Sequence, residues 1–132
     1  MNLFSFAADY LARMLDDENA VHALVEAPHA IIPILASAFR SEPDPLKRSI
    51  ILHVIWQHRD PSAIPFLAEG LQDRSPQVWK EALDGLVTIG GPESLAAING
   101  TSDRHFESES VRQTFREFLV EALEQLNAGR AG

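Results

Sequence analysis

The chain has 132 residues, of which 45% are hydrophobic and 23% are charged, a balance that excludes a disordered or fibrous protein. Nineteen Asp and Glu outnumber eleven Lys and Arg, and the net charge of -8 disfavours nucleic-acid and membrane partners. The lack of cysteine excludes disulfides, thiolate catalysis and cysteine-bound metals, and fits a reducing compartment. We therefore expect one cytoplasmic domain over residues 1–132.

The first predicted helix is apolar on two neighbouring faces. One face carries Leu3, Ala7, Leu11 and Leu15, and the other carries Phe6, Tyr10 and Met14. This pattern predicts a helix buried on two sides. The following segment, about 19–27, predicts a shorter partner helix.

The next part of the chain repeats itself. Residues 32–36 read Ile-Pro-Ile-Leu-Ala, and residues 64–68, at a shift of 32, read Ile-Pro-Phe-Leu-Ala. An apolar stripe follows each copy, and a third stripe occurs further along the chain. The first consists of Leu46, Ile50, Ile51 and Val54, and the second of Val78, Ala82, Leu83 and Leu86. The third consists of Val111, Phe115 and Leu119 and is interrupted by Arg116. Positions i, i+4, i+5 and i+8 share one helical face, so each unit contains an amphipathic helix, here called helix B.

Start signals accompany these helices. The successive B helices are preceded by Asp44 with Pro45, by Ser75 with Pro76, and by Ser108. Shorter apolar segments that begin at Pro28, Pro61 and Pro92 are predicted to be helix A of each unit. We therefore expect eight helices in four antiparallel pairs and no strand, with the last helix ending at Gly129.

The segment Leu71–Pro92, which reads Leu-Gln-Asp-Arg-Ser-Pro-Gln-Val-Trp-Lys-Glu-Ala-Leu-Asp-Gly-Leu-Val-Thr-Ile-Gly-Gly-Pro, resembles a HEAT repeat of the short, phycobilisome-lyase-like variety. The resemblance covers three units, roughly Pro28–Leu126, and implies an all-α fold: an α-α superhelix, or HEAT-like solenoid. In that family an Asp in the turn between the helices and an Arg near the start of helix B commonly link adjacent repeats. Asp73 matches the Asp, whereas the Arg position holds Lys47, Trp79 and Arg112 in the successive units.

The resemblance implies a non-enzymatic adaptor that binds another protein on the face lined by the B helices. An acidic immunity protein that neutralises a cationic bacterial toxin is the alternative, because negative charge suits occlusion of a basic active site. A HEAT-like lyase is a remote alternative. A HEAT-like DNA glycosylase conflicts with the net charge of -8.

Two tryptophans, Trp56 and Trp79, lie off the repeated apolar stripe. Aromatic side chains at such positions can anchor a partner, although packing between neighbouring repeats explains them too and is the favoured interpretation. Together with nearby polar residues they define the candidate protein-binding surface, which comprises Arg48, His53, Trp56, Trp79, Lys80, Asp84 and Arg112.

The histidines predict no catalytic, cofactor or metal site. Glu18, His22 and Glu26 form the most metal-like arrangement, but they span about 12 Å along a helix and cannot meet at one ion. His53 and His58 have no nucleophile at a recognisable spacing and are expected at the surface.

The last predicted helix carries an acidic group of Glu117, Glu121 and Glu124. Such a group suits a basic protein partner, so this helix is a second possible interface.

Overall fold

Prolines and capping residues divide this chain into eight α-helices in the computed structural model, which describes residues 2–101 and 103–131, with side chains described to residue 128. The helices are α1 (Leu3–Arg13), α2 (Glu18–Glu26), α3 (Ile32–Ser41), α4 (Pro45–Gln57), α5 (Ile64–Gly70), α6 (Pro76–Ile89), α7 (Gly91–Asn99) and α8 (Glu109–Ala131). Short 3-10 turns at His29–Ile31 and Pro61–Ala63 lead into α3 and α5. The described residues contain no strand, so the all-α prediction is confirmed.

The predicted helix pairs are present. Consecutive helices pack as α1 with α2, α3 with α4, α5 with α6, and α7 with α8. The second helix of each pair also packs against the second helix of the next pair, α2 on α4, α4 on α6 and α6 on α8. These four helices therefore form one continuous layer, here called the B layer, as expected for a helical solenoid.

Local capping explains where the B helices begin. The Asp44 side chain accepts a hydrogen bond from the Leu46 backbone N–H at 3.0 Å, and Ser108 accepts one from Val111 at 3.2 Å. Both bonds satisfy backbone donors that have no partner within the helix. Ser75 occupies the same position before α6, but its side chain makes no capping hydrogen bond.

The end of the last helix differs from the prediction. The α8 helix continues through position 129 to Ala131, so the expected stop at Gly129 is wrong. A glycine costs a helix only about 1 kcal/mol relative to alanine, which does not force a helix to end.

Most of the apolar stripe packs in the core, and its first residue in α4 does not. Val78, Leu83 and Leu86 of α6 are buried, as predicted. Leu46, the position in α4 that corresponds to Val78, is 42% exposed, so its predicted burial is wrong. Leu46 lies in the first turn of α4, directly after Asp44 and Pro45, and so at the end of the stripe.

Within the described ranges, no single helix is long and apolar enough to cross a membrane. The segments Glu18–Glu26 and His29–Ser41 reach that length and composition only as a pair, bent by 111°.

Candidate functional site

The α4 and α6 helices approach each other closely in the B layer because α6 presents a glycine to α4. A Cβ atom built on Gly85 would lie 2.7–2.8 Å from Trp56 side-chain atoms, a distance that real Cβ contacts do not reach. Trp56 is therefore packed directly against the α6 backbone and is half-buried at the surface of the layer.

A carboxylate on α6 holds two side chains of α4. Glu81 Oε1 accepts a hydrogen bond from Trp56 Nε1 at 2.7 Å and one from His53 Nδ1, also at 2.7 Å. The His53 and Trp56 rings meet edge to face with centroids 5.2 Å apart, and Gln57 Nε2 lies 3.4 Å from His53 Nε2. These contacts fix the orientation of both rings at the junction.

Negative charge accumulates along this part of α6. Partial burial, together with repulsion from Glu81 and Glu121, raises the pKa of Asp84. The hydrogen bond to Glu81 raises the pKa of His53, because a carboxylate partner favours the protonated imidazole.

A shallow groove of about 100 Å³ lies between α6 and α8. Its lining consists of Leu83, Asp84, Val87, Phe118, Glu121, Ala122 and Gln125. Phe118 is 37% exposed, and the Lys80 ammonium lies 4.6 Å from the centre of its ring. The groove therefore combines an accessible aromatic ring with one cation and two carboxylates.

Trp79 does not belong to this surface. Its side chain is completely buried, with its ring edge to face against Phe115 at 4.9 Å and Phe118 at 5.6 Å between centroids. Trp79 is thus packed between repeats, which is the interpretation that the sequence favoured, and its buried ring is not accessible to a partner. The cause is that Trp79 meets the aromatic side chains of α8, which cover it.

Arg48 is also occupied within the protein. Its guanidinium binds both oxygens of the Asp73 carboxylate, each at 3.0 Å, and donates to the carbonyl oxygens of Glu42 at 3.2 Å and Pro43 at 2.9 Å. Only 19% of the Arg48 side chain is exposed, so it links α4 to the turn before α6 and is not free to bind a partner. The resemblance to a HEAT repeat placed the linking position of this unit at Lys47, which is one residue too early.

Arg112 lies apart from the other candidates. It lines a different cleft near the start of α8 and lies 3.6 Å from Glu109. Four of the seven predicted residues are therefore neighbours at the surface of α4 and α6: His53, Trp56, Lys80 and Asp84. Sequence reasoning missed Glu81 and the exposed ring of Phe118, which complete this group.

His58 is not a surface group, contrary to the prediction. It is 8% exposed, and its Nε2 donates to the Leu24 carbonyl oxygen at 3.0 Å because the end of α4 packs against α2. Burial lowers its pKa. No group of three His, Asp or Glu side chains suited to a metal occurs in the described residues, and His22 pairs with Glu26 at 3.0 Å in solvent.

The packed helix pairs and continuous B layer define an α-helical repeat protein. The family model of HEAT repeats matches residues 32–117, more than half of the chain. The chain therefore belongs to the HEAT-repeat family, whose members generally mediate protein–protein interactions. No curated protein and no solved structure gives a significant match to it.

Proposed function

We propose that the chain is a non-enzymatic protein-binding module whose partner docks on α4, α6 and α8. The proposed surface, here called the B face, comprises His53, Trp56, Lys80, Glu81, Asp84, Phe118 and Glu121. The observation that carries the proposal is the groove between α6 and α8, where an accessible aromatic ring is bordered by charged groups.

The B face has the composition that protein interfaces use. Phe118 is 37% exposed, and half-buried Trp56 is already held in place by Glu81. Aromatic side chains at the centre of a polar rim contribute much of the binding energy in protein complexes. Because Trp56 is immobilised before binding, little conformational freedom remains to be lost when a partner docks on it.

The charges on the B face favour a cationic partner. Two carboxylates, from Asp84 and Glu121, line the groove, and Lys80 lies above the Phe118 ring. Glu81 lies beside the groove and already accepts hydrogen bonds from His53 and Trp56. The raised pKa of Asp84 reflects partial burial and the repulsion among these carboxylates. A Lys or Arg of the partner would relieve that repulsion while a neighbouring apolar side chain covered Phe118.

The test begins with affinity capture on the full chain and continues with the purified partner. We expect Phe118→Ala to weaken binding about tenfold or more, the effect of losing one interface residue of importance. Phe4→Ala is the matched control, because Phe4 is 68% exposed on α1 and does not belong to the B face. Folding of each variant is checked by circular dichroism. Wild-type affinity of folded Phe118→Ala, or equal losses in both variants, would place the interface elsewhere.

A cationic bacterial toxin is the second candidate partner, favoured by the same carboxylates of Asp84 and Glu121. In that case the chain would act as an immunity protein that occludes a basic active site. Co-expression with a basic toxin encoded by a neighbouring gene would protect the cell, and Asp84→Asn would reduce the protection. Survival that is independent of the chain would reject this candidate.

A further inference from the structure

A larger cleft of about 750 Å³ lies between the loop before α8 and the first half of that helix. Both this cleft and the groove between α6 and α8 are lined by residues of α8. The two sets of residues lie on different sides of the helix, because successive residues turn by about 100°. The size is that of a site for a short peptide or a small molecule. This cleft is therefore a separate candidate binding site, independent of the B face.

The cleft has an apolar floor and basic walls. The floor consists of Phe115, Leu119 and Val120, of which Val120 is 54% exposed. The walls carry Arg104, His105, Arg112 and Arg116. Three of the eleven Lys and Arg residues of an acidic chain thus line one cleft.

Two glutamates in the cleft neutralise only part of this charge. Glu107 is paired with Arg74 from the turn before α6. Glu109 lies 3.6 Å from Arg112, and 77% of the Glu109 side chain and 44% of the Arg112 side chain stay exposed. Within the described part of the chain, no ion pair involves Arg116. The cleft is therefore locally positive although the protein as a whole is negative.

Arg104 adds a fixed positive charge to the inner wall. Its guanidinium carbon lies 4.6 Å from the Phe106 ring centre and 4.8 Å from that of Phe115, and its Nη2 donates to the Asp73 carbonyl oxygen. Its Nε and Nη1 are buried without an acceptor in the described residues. Burial lowers the pKa of Arg104, and the nearby carboxylates of Asp73 and Glu107 partly balance its charge. The accessible positive charge of the cleft therefore lies on Arg112 and Arg116.

We propose that this cleft binds an acidic peptide segment of a partner protein. An apolar side chain of the peptide packs on Leu119 and Val120, while a neighbouring carboxylate binds Arg112 and Arg116. Charge complementarity carries the choice of an acidic ligand, and the apolar floor favours a peptide over a small hydrophilic anion. The preference is opposite to that of the B face, which favours a cationic partner.

The test uses the full chain and a fluorescein-labelled octapeptide of alternating Leu and Glu, with binding followed by fluorescence anisotropy at low salt. We expect Arg112→Ala and Arg116→Ala each to weaken binding about threefold, and the double variant about tenfold, as for the loss of solvent-exposed charge pairs. Arg13→Ala is a matched control, because the Arg13 side chain is 45% exposed and that of Arg112 is 44% exposed. Circular dichroism establishes that each variant is folded.

Peptide variants separate the two parts of the site. Replacing Glu by Gln tests the carboxylates, replacing Leu by Ala tests the apolar contact, and Val120→Ala tests the floor; each change is expected to weaken binding. Inorganic phosphate at equal ionic strength is expected not to compete better than chloride. Effective competition by phosphate, or unchanged binding by the double arginine variant, would overturn the proposal. So would binding that depends on Phe118 and not on Arg116, because the peptide would then occupy the B face.

Discussion

The two junctions between the last three helices of the B layer are built differently. Between α4 and α6, Gly85 admits the Trp56 ring against the helix backbone, and Glu81 fills the surface with hydrogen bonds. Between α6 and α8, the aromatic side chains Trp79, Phe115 and Phe118 separate the helices and leave a groove. The glycine therefore allows close packing at the first junction, whereas the aromatic rings leave a groove at the second.

The charged contacts follow the same division. Arg48 and Asp73 link the first junction through a bidentate ion pair. At the shifts of 32 and 33 residues that relate the units, their counterparts are Lys80 and Phe106. Lys80 lies above the Phe118 ring, and Phe106 stacks near Phe115, so no equivalent ion pair forms there. Aromatic packing has taken the place of the ion pair in the unit where the groove opens.

The strongest test of this comparison is removal of the aromatic packing. Phe115 is 1% exposed and contacts the rings of both Trp79 and Phe106. We expect Phe115→Ala to lower the free energy of unfolding by about 3–5 kcal/mol, as for other buried Phe to Ala changes. Urea unfolding followed by circular dichroism measures the loss, with partly exposed Phe118→Ala as the control of smaller effect. A loss below about 1 kcal/mol would show that aromatic packing does not hold this junction together.

The glycine junction gives the next largest effect. In Gly85→Ala the new methyl group would lie 2.7–2.8 Å from Trp56 atoms, so the ring or the helix must move. We expect destabilisation of about 1–3 kcal/mol, typical of overpacking, together with a changed tryptophan fluorescence spectrum. Gly100→Ala is the control, since its Cβ would lie 3.4 Å from the nearest atoms, at a φ of -68°. Equal stability of Gly85→Ala and wild type would mean that the close approach of α4 and α6 is not required.

Local signals in the sequence predicted the helix pairs, whereas contacts between repeats decided the site. Asp44 and Ser108 cap their helices through bonds spanning two or three residues, which a linear pattern contains. Whether an aromatic side chain outside the apolar stripe is buried depends on a helix that is distant in sequence. Aromatic side chains of α8 bury Trp79, and Gly85 of α6 leaves room for the Trp56 ring. The bonds from Glu81 reach back 25 and 28 residues along the chain, and no short-range spacing indicates them.

A smaller effect concerns how stability changes with pH at two histidines of α4. His53 lies at the junction with α6, and His58 lies at the buried end of the helix. His53 gains a carboxylate partner that raises its pKa, so its stabilisation is fully present below the ordinary histidine pKa of about 6.5 and is lost as pH rises through the raised value. Burial, with a smaller repulsion from His29, lowers the pKa of His58, although the hydrogen bond to the Leu24 carbonyl and the charge of Asp60 act in the opposite direction. The contribution of neutral His58 to stability is present above the ordinary histidine pKa and is lost as the pH falls through the lowered pKa.

On acidification, stability is therefore gained at His53 mainly above the ordinary histidine pKa and is lost at His58 mainly below it. His58→Gln keeps a donor toward the Leu24 carbonyl but does not titrate, so this variant should lose less stability on acidification than wild type. His53→Gln should lose more, because it lacks the compensating gain of the Glu81 contact. Thermal melts at several pH values give the comparison. Parallel pH profiles for both variants and wild type would refute the assignment of opposite roles.

The smallest expected change in stability, and the one most informative about function, concerns Asp84 at the open groove. Its pKa is raised by partial burial and by Glu81 and Glu121, which means that its charge is unfavourable in the folded protein. At neutral pH, Asp84→Asn should therefore leave the melting temperature unchanged or raise it slightly. Binding of a cationic partner should nevertheless weaken and become less sensitive to salt.

The control is Asp16→Asn, at an exposed acidic position between α1 and α2, which should alter neither property. A variant that is both less stable and fully active in binding would show that Asp84 serves the fold, whereas a stable variant with weaker binding would show that its charge is retained for a partner.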